Sequence, residues 1–189
     1  MLRLEGKFAA LEEISPKYFQ PVIEWRNNKS LNKFLNQPYE LTLELEKKWY
    51  EEVYLRDETQ GLFIILDRET GTPLGTKGWT DFDAEKRRCI SGRLLFGNEN
   101  FARHPAFTEG ILLAYDYTFA RVDVQYSHVV EENLKSAEHI KKFGFVENTG
   151  EIQYPAELFV NGMHQREYFC TREMYLAARK KFERFFDRR

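Results

Sequence analysis

The chain has 189 residues and a formal charge of −2, from 28 basic and 30 acidic side chains. That near balance excludes the strongly basic footprint of a nucleic-acid-binding protein, and the length is enough to bury a core without disulfides or metals. Aromatic residues make up 15% of the chain, so the core is expected to be bulky. Cys89 and Cys170 are too few for a disulfide framework and read as reduced, half-buried thiols. Met1 to Ala10 lacks the apolar stretch of a signal peptide. No run approaches the ~18 apolar residues of a membrane span. The expectation is a cytoplasmic protein with no membrane contact. With no repeat, low-complexity tract or Pro/Gly/Ser-rich linker, 1–189 reads as one domain.

Residues 2 to 14 suit a first strand. Ser15-Pro16 then marks a helix start, with serine as cap and proline at the first helical position. Tyr18, Phe19, Val22, Ile23 and Trp25 follow at helical spacing, and Arg26-Asn27-Asn28 breaks it. Thr42 caps a second helix. Its charged face carries Glu44, Glu46, Lys47 and Lys48, and its apolar face Trp49, Val53 and Tyr54. Gly61 to Leu66 is a short continuous apolar run, the mark of a buried strand. Asp67 to Gly71 is turn chemistry, and Pro73 to Asp81 is the returning strand. Cys89 to Phe96 is another strand, in which Gly92 marks a bulge.

Ala106 to Arg121 is the clearest helix, with Phe107, Ile111, Leu112, Tyr115 and Phe119 on one side. Val122 to Val130 is a strand and Leu134 to Phe143 a short helix ended by Gly144. Two strands surround the hairpin turn Asn161-Gly162. Arg172 to Phe186 closes the chain as a helix with Met174, Tyr175, Ala178, Phe182 and Phe185 inward. Hairpins in the front half and a strand–helix–strand crossover over Ala106 to Arg121 give an α/β chain with a mixed, mostly antiparallel central sheet and helices on both faces.

Asn133 to Phe145 reads N-L-K-S-A-E-H-I-K-K-F-G-F and directly follows an apolar strand. This resembles the late asparagine–serine–helix–Gly-Phe signature of GNAT acetyltransferases, and the order of elements matches that fold. Ile23-Glu24-Trp25-Arg26-Asn27 resembles the branch that acetylates ribosomal-protein N-termini and nucleotide-linked amino sugars. The resemblance implies a V-shaped splay between two parallel strands, here Cys89 to Phe96 and Val122 to Val130. The arm of acetyl-CoA would satisfy backbone groups left unpaired there, against Leu94, Leu95 and Phe96.

It places the pyrophosphate at the following helix start, around Arg103, His104, Phe107 and Thr108. The glycines usual in that loop are absent, so Arg103 and His104 are expected to supply charge instead. Asn133 and Ser136 would also contact the cofactor. Asn133 equally suits a helix N-cap.

Acetyl transfer needs a neutral amine and a proton acceptor. A lysine-type amine, with pKa about 10.4, costs roughly 4–5 kcal/mol to deprotonate at pH 7. His128, Glu131, Glu109 and Asp81 are the candidate bases, with His128 and Glu131 preferred. Ser136 is the candidate donor to the leaving thiolate, because the family's usual tyrosine position holds Ile140. Trp25, Arg26, Trp79, Asp81 and Tyr154 are the candidate acceptor-binding residues, with His164 weighed beside them. The histidines and cysteines show no metal-ligand spacing.

The resemblance implies an N-acetyltransferase acting on a primary amine of a small molecule such as a nucleotide-linked amino sugar. A protein N-terminus is the alternative acceptor. A catalytically degenerate GNAT-like binding module is the alternative from another class. A homodimer is left open.

Overall fold

In the computed structural model, which describes residues 2–187 apart from Asn32, Asn36 and Pro38, the first expected strand is two strands. These are β1 (Arg3–Glu5) and β2 (Ala9–Glu13), an antiparallel pair with Leu4 opposite Leu11. The chain reverses at Gly6, whose N–H donates to Ala9 O over 2.8 Å. What fixes the turn is remote in sequence. The Glu109 carboxylate accepts the backbone N–H groups of Lys7, Phe8 and Ala9 at 2.9, 2.6 and 2.7 Å. No local sequence signal announces such an anchor, which is why 2–14 reads as one strand.

A 3-10 turn at Pro16–Tyr18 leads into α1 (Phe19–Asn27), and α2 spans Leu43–Glu52. Thr42 caps α2 as expected, accepting from Leu45 N at 3.3 Å. Ser15 sits extended before Pro16, but its hydroxyl makes no capping bond. The remaining strands and α-helices are β3 (Gly61–Asp67), β4 (Pro73–Asp83), β5 (Arg88–Phe96), α3 (Pro105–Phe119), β6 (Val124–Val130), α4 (Leu134–Lys141), β7 (Val146–Glu147), β8 (Phe159–Val160), β9 (Met163–Thr171) and α5 (Arg172–Asp187), with 3-10 turns at Tyr54–Arg56, Glu99–Arg103 and Pro155–Leu158.

The chain forms two compact units, Met1–Phe82 with Gly92–Thr118, and Asp83–Ser91 with Phe119–Arg189. In the first, the strand order is β1-β2-β3-β4-β5. β3 pairs antiparallel with both β2 and β4. Its even-numbered residues, Leu62, Ile64 and Leu66, join Ala10, Phe19, Val22 and Trp25 in one core. Its odd-numbered residues face α3. Phe63 meets Tyr117 edge-on at 5.3 Å. Gly110 approaches so closely that a Cβ there would lie 2.4 Å from Ile65 Cγ2. Burial on both faces explains the unbroken apolar run of β3.

In the second unit the order is β5-β6-β9-β7. The β5–β6 pairing is parallel and comprises Arg88 with Val124, Cys89 with Gln125 and Ile90 with Tyr126. β6 pairs antiparallel with β9 from Val124–Thr171 to Val130–Gln165. β8 and β9 form the expected hairpin, with φ +50° at Asn161 and +77° at Gly162. Such left-handed angles suit a two-residue turn of this Asn-Gly type. Phe119 stacks on Tyr175 at 4.8 Å and Phe143 on Phe182 at 5.0 Å. The side chain of Phe185 lies outside those described. Cys89 and Cys170 are buried thiols rather than half-buried ones, and burial pushes the Cys170 thiol up to about 12. The sheet is mixed and mostly antiparallel. Among the described residues no helix is long and apolar enough to cross a membrane.

Glu109 is thus a structural clamp on the β1–β2 turn. Replacing it by Gln removes the charge and one acceptor oxygen and strands buried N–H groups. Glu109→Gln is expected to lower unfolding stability by about 2 kcal/mol, read as a lower urea midpoint at unchanged slope.

Candidate active site

The backbone irregularity in β5 falls one residue beyond the glycine that suggested it. Arg93 adopts φ +54°, a left-handed angle unusual for a residue with a side chain. Side chains of β4 hold this left-handed stretch. Thr76 Oγ1 donates to Arg93 O at 2.6 Å and Lys77 Nζ to Gly92 O at 3.2 Å. Lys77 is buried, and its ammonium lies 4.8 Å from the centre of the Tyr115 ring. These bonds satisfy carbonyls that a regular ladder would otherwise take up.

Beyond it come the residues expected to hold the cofactor. Leu95 is buried, while Leu94 and Phe96 are half-buried. Phe96 stacks on Phe107 of α3 at 4.6 Å, tying the strand end to the helix start. At that start Pro105 has no N–H. The N–H groups of Phe107 and Thr108 donate to His104 O at 3.0 and 3.4 Å. Few amides therefore remain for an anion. Arg103 is exposed. His104 Nε2 lies 3.7 Å from Asp67 Oδ2, and burial of its other nitrogen leaves that atom without a hydrogen bond. Thr108 is half-buried.

The expected acceptor residues of the first unit separate into two groups. Trp25 is a core residue, and Trp79 covers Gly61 and packs 5.5 Å from both Phe63 and Tyr117. Arg26 donates through Nε to Gln37 Oε1 at 2.7 Å. Asp81 is exposed at the end of β4, with φ +53°. The charges of Arg26 and Asp81 both act on Arg93, a residue the sequence did not single out. Burial lowers the Arg93 pKa from its ordinary value, offset by Tyr54. Its guanidinium lies over Trp49 at 5.5 Å and donates to Gln60 Oε1.

Glu46 completes this set at 1% exposure. Burial raises its carboxyl pKa, and the Arg26 and Arg93 charges oppose the rise. A signal for Glu46 exists in the sequence. It precedes Trp49 and Tyr50 by three and four positions, so it shares their inward face.

In the second unit, β6 and β9 place His128 directly opposite Glu167. His128 Nε2 meets Glu167 Oε2 at 3.1 Å, with both side chains buried. Glu167 also accepts from Asn148 Nδ2, Gln153 N and Tyr154 N at 2.6, 3.0 and 2.9 Å. Burial alone would raise its carboxyl; these donors overcome it and hold the group below its ordinary value. An ionised carboxylate only accepts, so His128 Nε2–H donates to it, and in the neutral ring the lone pair lies on Nδ1. Nδ1 is buried without a hydrogen-bond partner.

Tyr154 lies edge-on to His128 at 5.9 Å and to Tyr126 at 5.3 Å, under the Arg88 guanidinium at 5.0 Å. Glu131 is exposed and 3.4 Å from Arg166. Asn133 caps α4, its Oδ1 accepting from Ser136 N at 3.1 Å. His164 is exposed and packs on Phe159. Glu167 was missed by sequence reasoning because only the strand register brings it to His128.

These elements are those of an acyl-CoA N-acyltransferase fold. The chain belongs to the GNAT acetyltransferases: the acetyltransferase (GNAT) domain model matches residues 10–146. It is thus an acetyltransferase enzyme. No curated protein matches the sequence. Among solved structures, the spermidine N-acetyltransferase from Vibrio cholerae in complex with CoA and spermine is similar at TM-score 0.74 and 18% identity, over 90% of this chain and 99% of that one. Apo FdhC, a nucleotide-linked sugar GNAT, is similar at TM-score 0.75 and 18% identity, over 97% and 98%. A GCN5-related N-acetyltransferase from Brucella melitensis gives TM-score 0.77 at 17% identity, over 96% and 84%.

The depressed Glu167 carboxyl makes a pH prediction. Its stabilising effect is complete above the ordinary glutamate pKa of about 4.3 and declines as pH falls through the lower folded value. Glu167→Gln is therefore expected to reduce urea stability by about 1–3 kcal/mol at pH 7. The deficit narrows as both proteins are taken toward pH 3.

Proposed function

We propose that the protein transfers an acetyl group from acetyl-CoA to the primary amine of a small molecule, with 1–189 acting as one GNAT-like domain. The carrying observation is the family match together with β5, left-handed at Arg93, whose Leu94 to Phe96 pass through a 3-10 turn at Glu99–Arg103 to the start of α3. The pantetheine arm is assigned to that strand segment. Because Pro105 offers no N–H and the Phe107 and Thr108 amides serve His104 O, the pyrophosphate is assigned to the Arg103 side chain, with His104 beside it. Buried reduced thiols fit a reducing, cytoplasmic setting.

In the step itself, the amine lone pair attacks the thioester carbonyl. A C–N bond forms, the C–S bond breaks and coenzyme A leaves as thiolate. The proton lost by nitrogen passes to a base, assigned to His128 Nδ1. Glu167 holds the ring and favours the tautomer with that lone pair. The Ser136 hydroxyl is assigned to the departing sulfur. Glu131, paired with Arg166 at the surface, suits this work less.

The occupied amides of α3, together with Ile140 where a tyrosine acid is usual, support a second reading, a GNAT-like module that binds without catalysing. Thiol release from acetyl-CoA in the presence of primary amines separates the two. Turnover is expected. Arg103→Ala is expected to raise the KM for acetyl-CoA roughly tenfold, the loss of one charge-assisted contact. His128→Asn is expected to lower kcat by roughly 10²–10⁴. His128→Asn within twofold of wild type would move the base elsewhere. Absent thiol release together with absent acetyl-CoA binding would favour the binding module.

A further inference from the structure

Two polar groups of the first unit are buried with unanswered hydrogen-bonding capacity. Glu46 is 1% exposed and its Oε1 has no partner. Arg93 spends one Nη on Gln60, but its Nη1 is buried without a partner. Orphaned buried groups cost stability, and charged ones cost more, so a site that retains both is organised for something that binds there.

The two belong to one electrostatic cluster. The Arg93 and Arg26 charges both act on the Glu46 carboxyl. Arg26, Asp57 and Asp81 act in turn on Arg93. The two acids differ. The Asp57 oxygens are taken by Thr59 N and Oγ1 and by Gln60 Nε2, at 2.9, 2.6 and 2.8 Å. Asp81 is an exposed carboxylate at the end of β4. Trp49 supplies an aromatic face beneath the Arg93 guanidinium. The cluster therefore offers an acceptor to a ligand's N–H and a donor to a ligand's anion.

From this pairing we infer that the acceptor is zwitterionic: an amine that carries a carboxylate or phosphate on the same molecule. Glu46 receives the amine end and Arg93, supported by Arg26, receives the anion. A polycation such as a polyamine brings only donors. It would leave the Arg93 N–H unanswered and add positive charge beside two guanidinium groups. An amino sugar without an anionic group would satisfy Glu46 and leave the Arg93 N–H unanswered. The inference deepens the acetyltransferase reading and rests on it. Arg93 and Glu46 are specificity residues in this account, not members of the proton relay.

The test uses three acceptors with the intact protein and acetyl-CoA: glucosamine, glucosamine 6-phosphate and spermidine. The first two share one amine and differ only in the anion. The expected order in kcat/KM, and in binding measured with coenzyme A present, puts glucosamine 6-phosphate roughly tenfold or more above the other two. Arg93→Gln is expected to abolish that preference by raising KM for the phosphorylated amine.

Because Arg93 has a strained, left-handed backbone, Arg26→Gln serves as the second variant, expected to weaken the same preference in the same direction. Equal use of the first two, a preference for spermidine, or no binding of any of the three while acetyl-CoA still raises Tm would overturn the inference and leave acetyl transfer standing. Failure of acetyl-CoA to bind would instead remove the reading beneath it.

Discussion

The left-handed backbone at Arg93 is the constraint from which the rest of the first unit's chemistry follows. A side chain in that conformation costs on the order of 1 kcal/mol or more, and it persists only where the surroundings over-determine it. Here Thr76 and Lys77 do so by taking the Arg93 and Gly92 carbonyls. The Arg93 guanidinium lies over Trp49, and the distortion falls between the part of β5 paired with β6, ending at Ile90, and the part that leads through a 3-10 turn to α3. The same local distortion therefore provides both the strand segment assigned to the cofactor arm and the arginine assigned to the acceptor.

Buried carboxylates recur as the other organising device, and each does a different task. Glu109 closes the β1–β2 turn with three backbone N–H groups. Glu12 is surrounded by Arg3, Lys17 and Tyr18. Burial would raise its carboxyl, but those donors pull it down to about 2. Glu167 gathers His128 and the backbone of Gln153 and Tyr154. At Glu12 and Glu167 the donors outweigh desolvation, the condition for an ionised buried carboxylate. Glu46 is the exception, with its carboxyl raised and one oxygen unbonded. That contrast separates a group built to hold the fold from one left available to a ligand.

Much of the architecture was legible because its causes are local. Thr42 and Asn133 cap helices through bonds to residues three positions on, and Asn161-Gly162 turns a hairpin by its own left-handed angles. The apolar run of β3 announced burial on both faces. What could not be read depends on partners distant in sequence. The β1–β2 turn needs Glu109, and the His128–Glu167 contact needs a register between β6 and β9. Glu46 is intermediate. Its spacing to Trp49 and Tyr50 was visible, but a charged side chain among Glu44, Lys47 and Lys48 reads as part of a solvated face. The missing glycines before α3 were seen correctly in the sequence, and the structure adds that His104 O already occupies the Phe107 and Thr108 amides.

The central claim is that the β5 segment after Arg93 pairs with the amide-bearing arm of the cofactor. Amide hydrogen exchange of Leu94 to Phe96, followed with and without saturating coenzyme A, tests it at the atoms concerned. Exchange of amides in this segment is expected to slow markedly on addition of the cofactor, while amides of β3 keep their rates. Unchanged exchange at Leu94 to Phe96 under saturation would contradict it.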